Sequence, residues 1–172
     1  MLSDLEKERA AAAAFEMLEH HASFIMADNI LMYHSLPDEI STHRFLEKWG
    51  DKKHFYLPRV SGVNLEILPY DKSTLRYGAF HIEEPSGQDT TDISDIELII
   101  VPAVAYDRQG NRVGRGKGYY DRLLADSKAT KIGMAYDFQL IDEIDAEPHD
   151  VKVDVIITDK SVITIKKTRN KQ

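Results

Sequence analysis

The 172 residues include no cysteine, which removes disulfides, thiolate catalysis and zinc–thiolate sites together. No apolar run approaches the ~20 residues a membrane-spanning helix requires. The opening Met1-Leu2-Ser3-Asp4-Leu5-Glu6 lacks the basic stretch and apolar core of a secretory signal. Positive charge is scarce as well: 22 Lys and Arg stand against 29 Asp and Glu, for a net charge of −7. That balance disfavours a broad nucleic-acid surface. A soluble cytoplasmic protein, engaging neither membrane nor nucleic acid, is the expectation. The chain is long enough for one buried core and short for two domains, and its 42% hydrophobic content fits a globular fold. A monomer is expected, because no extended apolar stripe asks for a partner.

Ser3 to Glu6 has the form of a capping box. Behind it the alanines from Ala10 to Ala14, with Phe15, Leu18, Ala22 and Ile25 at helical spacing, predict a helix packed on a core. Asn29 to His34 reads as a strand, Ser35 to Ile40 as a loop, and a helix starts near Ser41 and stops at Gly50. His54 to Leu57 reads as a strand ended by Pro58, and Leu65 to Tyr70 as another. Residues 71–95 are polar and irregular. Ile96 to Val101 is the most apolar run, as a central strand covered on both faces requires. A helix begins near Tyr119, strands follow at Lys131 to Ala135 and Val153 to Thr158, and Ser161 to Ile165 pairs back. The fold class expected is α/β: a single domain with a doubly wound, mostly parallel sheet, helices on both faces, a C-terminal hairpin and the ligand at the C-terminal strand ends.

The chemistry concentrates between Val101 and Arg122. Arg108, Arg112, Arg115, Lys117 and Arg122 there outnumber Asp107 and Asp121, so a basic island sits on an acidic protein. That contrast points to a small anionic ligand. Gly110, Gly114, Gly116 and Gly118 allow the backbone to approach an anion and turn its N–H groups inward. The helix start that follows adds partial positive charge. The spacing matches neither a Walker A loop nor a dinucleotide-binding fingerprint. A basic surface hairpin is the plainer alternative. No histidines stand at metal-ligand spacing.

The run Asp107-Arg108-Gln109-Gly110-Asn111-Arg112-Val113-Gly114-Arg115-Gly116-Lys117-Gly118-Tyr119-Tyr120-Asp121 resembles the signature of 5-formyltetrahydrofolate cyclo-ligases. Leu36-Pro37-Asp38-Glu39-Ile40-Ser41-Thr42, Tyr56-Leu57-Pro58-Arg59-Val60, Glu84-Pro85, Gly133 to Gln139, Glu147 to Asp150 and Val153-Asp154 extend the likeness, in order, over roughly residues 5–160. The resemblance implies ATP-dependent closure of 5-formyltetrahydrofolate to 5,10-methenyltetrahydrofolate. It places ATP on Arg112, Val113, Gly114, Arg115, Gly116, Lys117, Gly118, Tyr119 and Tyr120. The folate would meet His34, Glu39, Arg115, Gly116, Lys117, Gly118 and Tyr119, with Arg115, Lys117 and Tyr119 as catalytic residues. Asp121 and Asp154 would hold Mg2+, and Arg59 and Tyr136 are further candidate lining residues.

Residue types leave some roles open. His34 fits a strand-end histidine as well as a folate contact, Tyr119 and Tyr120 fit core packing as well as ligand stacking, and Asp121 fits the first helix turn. The family opens with an additional basic helix, and this chain is expected to start after it; Lys7 and Arg9 are not given its role. His81 stands where many relatives carry glycine. A non-catalytic binder of reduced folate or nucleotide is the alternative from another class, and an RNA-binding module is opposed by the acidic total.

Overall fold

The computed structural model describes residues 2–77, 83–115 and 118–166. Gly116, Lys117 and His81 fall outside the described residues. Helix α1, Asp4–Glu19, starts on the capping box: Glu6 N donates to Ser3 Oγ at 3.2 Å and Ser3 N to Glu6 Oε1 at 3.1 Å. It buries Ala10, Ala11, Ala14, Phe15 and Leu18. The predicted single stripe through Ala22 and Ile25 is broken. His21 Nδ1 accepts from Ser23 N and caps a separate helix α2, Ala22–Met26. The new phase puts Phe24 in the core and leaves Ile25 59% exposed.

Strand β1, Asn29–Leu31, is followed by α3, His43–Trp49. The ladder ends sooner than the apolar run does, because hydrogen bonds between Ser35 and Thr42 close the chain into a loop. Strand β2, His54–Ser61, and β3, Asn64–Pro69, form an antiparallel hairpin. Pro58 was expected to end its strand but lies within β2. The ladder explains this: Tyr70 N bonds Phe55 O, so Phe55, Leu57 and Arg59 face β3 with their amides, while Pro58 and Pro69 fall at positions that need none. By Pro58 the pairing with β1 has also ended.

A short ribbon of β4, Arg76–Tyr77, and β5, Glu83–Glu84, lies in the segment read as irregular. The central strand β6, Leu98–Val101, is buried throughout as expected. A second ribbon, β7 (Ala105–Tyr106) with β8 (Arg112–Val113), occupies the first half of the Gly-rich segment, so that half is a hairpin after all. Helix α4, Tyr119–Ala125, and strands β9, Thr130–Met134, β10, Val155–Ile157, and β11, Val162–Thr164, complete the chain.

The seven-stranded sheet runs β11-β10-β9-β6-β1-β2-β3, parallel inside and antiparallel at both edges. Alternate residues of the central strands enter two cores. Leu98, Ile100, Ile132, Met134 and Ile30 pack under α1, α2 and α3. Ile99, Val101, Ile156 and Leu31 pack under α4. Helices therefore cover both faces, and each fully buried Leu or Ile contributes ~1.5–3 kcal/mol. Strand β1 pairs with β2 on one side and with β6 on the other, which makes the β1–β6 boundary the switch point of the winding. No helix among the described residues is long and apolar enough to cross a membrane.

Candidate active site

Two loops leave the C-terminal ends of the adjacent strands β1 and β6, where an open α/β sheet forms a crevice. The first is folded tightly on itself. Thr42 Oγ1 donates to Tyr33 O at 2.7 Å and accepts from Ser35 N at 3.1 Å, while Thr42 N donates to Ser35 Oγ at 2.9 Å. This latch, between residues at each end of the loop, holds Leu36–Glu39 as a projecting turn. Glu39 Oε1 accepts from Leu36 N at 2.9 Å, and the carboxyl is 7% exposed. Burial raises its pKa, against the opposing pull of the Leu36 amide and Arg115. His34 stacks on His43 with ring centroids 4.0 Å apart, and a ring nitrogen of His43 lies 3.1 Å from Ser35 O.

The second loop is anchored at its base by Tyr106, which is fully buried and donates from its hydroxyl to Val101 O at 2.5 Å. Burial pushes its phenol well up. The ring lies against Gly133 of β9, where a Cβ would stand 2.5 Å from Tyr106 Cζ, so only glycine admits the tyrosine. Asp107 follows, fully buried, and its carboxylate accepts from the amides of Gln109, Asn111 and Ile144 and from Asn111 Nδ2, all within 3.0 Å. Four donors on one carboxylate fix the turn of the ribbon and join it to residue 144.

Arg112 turns inward. Its Nη1 donates to Pro102 O at 2.9 Å, Nη2 is 3.9 Å from Asp121 Oδ1, and the guanidinium lies over the Tyr120 ring at 5.5 Å. Its buried Nε has no hydrogen-bond partner among the described residues. Arg112 thus ties the two ends of the loop together. Val113 ends the ribbon partly exposed, and the Gly114 backbone lies against the Arg112 guanidinium. Arg115 reaches across to the first loop, with Nη2 2.7 Å from Asp38 Oδ1 and 3.5 Å from Glu39 Oε2.

Gly118 precedes α4 with φ 70°, a left-handed conformation that glycine adopts freely. Tyr119 donates to Gly62 O at 3.4 Å, and Arg122 bonds Val63 O while lying over the Tyr119 ring. Tyr120 packs on the core under α4, in line with the packing reading.

A cavity of about 430 Å3 opens beside the first loop, with Lys7, His34, Ser35, Glu39 and Tyr136 in its wall. Of the residues expected to bind substrate, His34 and Glu39 meet here, and Arg115 joins them through Glu39. Tyr136, a candidate lining residue, is there too, stacked on the exposed Phe138 at 5.3 Å. Arg59 lies outside this cavity: it pairs with Glu66 at 2.5 Å and donates to Gly87 O at 2.7 Å. Asp38, His43, Asp107 and Lys7 carry structural or lining roles that residue types alone did not single out. Asp38 lay within the quoted loop motif, and only the fold discloses its partner.

The two expected metal ligands occupy different settings. Asp121, in the first turn of α4, accepts from Val151 N at 3.5 Å and keeps 24% side-chain exposure. Asp154 directly precedes β10, and its Oδ2 accepts from Lys131 N at 2.8 Å. No group of three or more His, Asp or Glu residues among the described residues is placed to hold a metal by itself.

A model of the 5-formyltetrahydrofolate cyclo-ligase family matches residues 1–159. The 5-formyltetrahydrofolate cyclo-ligase of Escherichia coli K12 is 30% identical over 167 residues, 91% of each chain. That of Haemophilus influenzae is 32% identical over 142 residues, 76% of each chain. The NMR structure of Aquifex aeolicus 5,10-methenyltetrahydrofolate synthetase matches with a TM-score of 0.88 at 31% identity, covering 99% of this chain and 89% of that one. The Mycoplasma pneumoniae 5,10-methenyltetrahydrofolate synthetase matches with a TM-score of 0.71 at 25% identity, over 92% and 90%. With the signature loop, the crevice between β1 and β6 and a family match over nearly the whole length, the chain belongs to the 5-formyltetrahydrofolate cyclo-ligase family.

Proposed function

We propose that this chain uses ATP to cyclise 5-formyltetrahydrofolate to 5,10-methenyltetrahydrofolate, releasing ADP and phosphate. The observation that carries the reading is the contact of Arg115, from the Gly-rich loop, with Asp38 and Glu39 beside the cavity. A phosphate-binding cation and a folate-binding carboxylate then face each other across one crevice.

In the reaction the formyl oxygen attacks the γ-phosphorus, the bond to the ADP oxygen breaks, and the formyl carbon is left bearing a phosphate ester. The second folate nitrogen attacks that carbon and loses its proton, and the carbon–oxygen bond breaks to release phosphate. Phosphoryl transfer asks the protein mainly for alignment and charge neutralisation. Arg115 and Lys117 supply positive charge to the phosphates, with the backbone of Gly114, Gly116 and Gly118 beside them. Arg112 acts from inside the loop, setting its shape. Glu39 orients the folate ring by accepting from its N–H groups, and the His34 ring closes the same wall.

Mg2+ neutralises phosphate oxygens when bound. It is a hard cation that takes one or two protein carboxylates and keeps several waters. Asp121 fits as one of them, partly exposed at the loop's far end. Asp154 is the second carboxylate in this reading, with Oδ2 already bonded to the sheet. A cytoplasmic monomer completes the proposal.

Mixing the protein with 5-formyltetrahydrofolate, ATP and Mg2+ and following the absorbance of the methenyl product tests it. ATP-dependent product that is lost in Lys117→Ala supports the ligase. Folate binding without product would instead identify a binder.

A further inference from the structure

We propose that Lys7 is an anion-binding residue of this cavity, holding a phosphate or a carboxylate of a bound substrate from the α1 side. The inference deepens the ligase reading and rests on it for the identity of the ligands.

Lys7 breaks the apolar pattern of α1. The buried stripe of α1 is Ala10, Ala11, Ala14, Phe15 and Leu18. Lys7 lies three and four residues before Ala10 and Ala11, so it continues the same face by one turn. A purely structural stripe would carry an apolar residue there. Lys7 is half-buried, whereas Glu6 and Glu8 on either side are exposed.

The position also directs the side chain. Side chains on a helix lean toward its N-terminus, and the alanines let α1 sit close to the sheet. Lys7 therefore extends past the packed region and into the cavity wall that holds His34, Glu39 and Tyr136. Its helical turn is closed by Lys7 N bonding Ser3 O at 2.9 Å, so the backbone is fixed.

Nothing among the described residues uses the charge. Among the described residues the Lys7 ammonium makes no ion pair or hydrogen bond, and the Glu8 carboxylate is turned to Arg44 at 3.4 Å. The other cavity acid, Glu39, is engaged by Leu36 and Arg115. A half-buried ammonium without a partner is unfavourable until an anion arrives. Both proposed substrates carry such a group: the phosphates of ATP, and the glutamyl carboxylates of the folate.

The test is calorimetric titration of wild type, Lys7→Met and Lys7→Arg with MgATP and, separately, with 5-formyltetrahydrofolate, alongside thermal midpoints. Lys7→Met is expected to weaken one of the two ligands about tenfold or more, leaving the other and the midpoint unchanged. Weakened MgATP would identify a phosphate, and weakened folate a carboxylate. Lys7→Arg should recover most of the loss, and the difference should shrink with added salt. Unaltered binding of both ligands to Lys7→Met overturns the proposal, as does a loss that tracks a lowered midpoint. Wild type that binds both ligands without turning them over defeats the ligase reading and leaves these titrations decisive for Lys7.

Discussion

Arg115 and Asp38 are 77 residues apart in the chain and are joined at 2.7 Å across the crevice. The pair is accessible, with side chains 41% and 62% exposed. Pairs of this kind contribute at most ~1 kcal/mol. On the proposed reading Asp38 therefore presents the guanidinium without holding it against the phosphate of ATP, whose oxygens can take it bidentately.

Arg115→Ala is accordingly expected to lower kcat/KM by about 10²-fold or more while moving stability by less than ~1 kcal/mol. Arg115→Lys should recover only part, since an ammonium lacks the paired donors. Asp38→Ala should leave kcat/KM within about threefold, because the pair it removes is weak. Steady-state kinetics with urea unfolding of the three variants checks all of this.

Glu39 has a pKa raised chiefly by burial. If its ionised form is the working one, the acidic limb of kcat/KM lies above the ordinary glutamate range and disappears in Glu39→Gln. Stability should follow the opposite sense. A raised carboxyl pKa contributes to stability below the unfolded value and loses that contribution as pH rises through the folded value. Glu39→Gln keeps an oxygen for Leu36 N, so it should be at least as stable as wild type at neutral pH and much less active. Loss of stability together with activity would show that Glu39 serves mainly the fold.

Asp107→Ala removes the acceptor for three amides and one side-chain N–H. It should destabilise the protein by about 2–4 kcal/mol. Asp107→Asn should also cost stability, because one of its two positions would turn N–H groups toward donors. Denaturant unfolding measures both, and a change under ~1 kcal/mol in either would argue that the loop is held by other contacts.

Asp121→Asn and Asp154→Asn separate metal binding from structure. Asparagine at 154 retains an oxygen for Lys131 N, so the sheet should tolerate it. Each variant is expected to need about tenfold more Mg2+ for half-maximal turnover. An Asp154→Asn enzyme with unchanged Mg2+ dependence would confine that residue to the start of β10.

The sequence discloses the strands whose pattern is set by burial alone. Ile96 to Val101 lies between two covered faces, and the C-terminal hairpin pairs locally. It is silent where a side chain overrides periodicity. His21 caps a new helix and dislodges Ile25 from the predicted stripe. Pro58 is tolerated within β2 because of a register that only pairing with β3 fixes. At the site, the motif marks Arg115 and Glu39, but contacts between residues far apart in the chain require the tertiary fold. Asp38 is one such case, and Lys7, separated from His34 by the rest of α1, a second helix and a strand, is another. Arg112, which the resemblance places on ATP, shows contacts that the motif does not disclose: its guanidinium meets Pro102 O and Asp121 inside the loop.

The pairing of β1 with β6, Leu31 beside Ile99, has a geometric consequence. Each strand launches one of the two loops, so the distance between them is metered by main-chain hydrogen bonds, with no hinge between the launching points. Sliding one strand by a single residue would shift one loop ~3.3 Å against the other. Reacting atoms must approach within about 3–3.5 Å, so in the proposed reaction such a slip would put ATP and the folate out of reach of each other. Insertions of one residue in Asn29–Leu31 or Leu98–Val101 are therefore far more damaging than insertions in the β2–β3 turn, although all three lie in the same sheet.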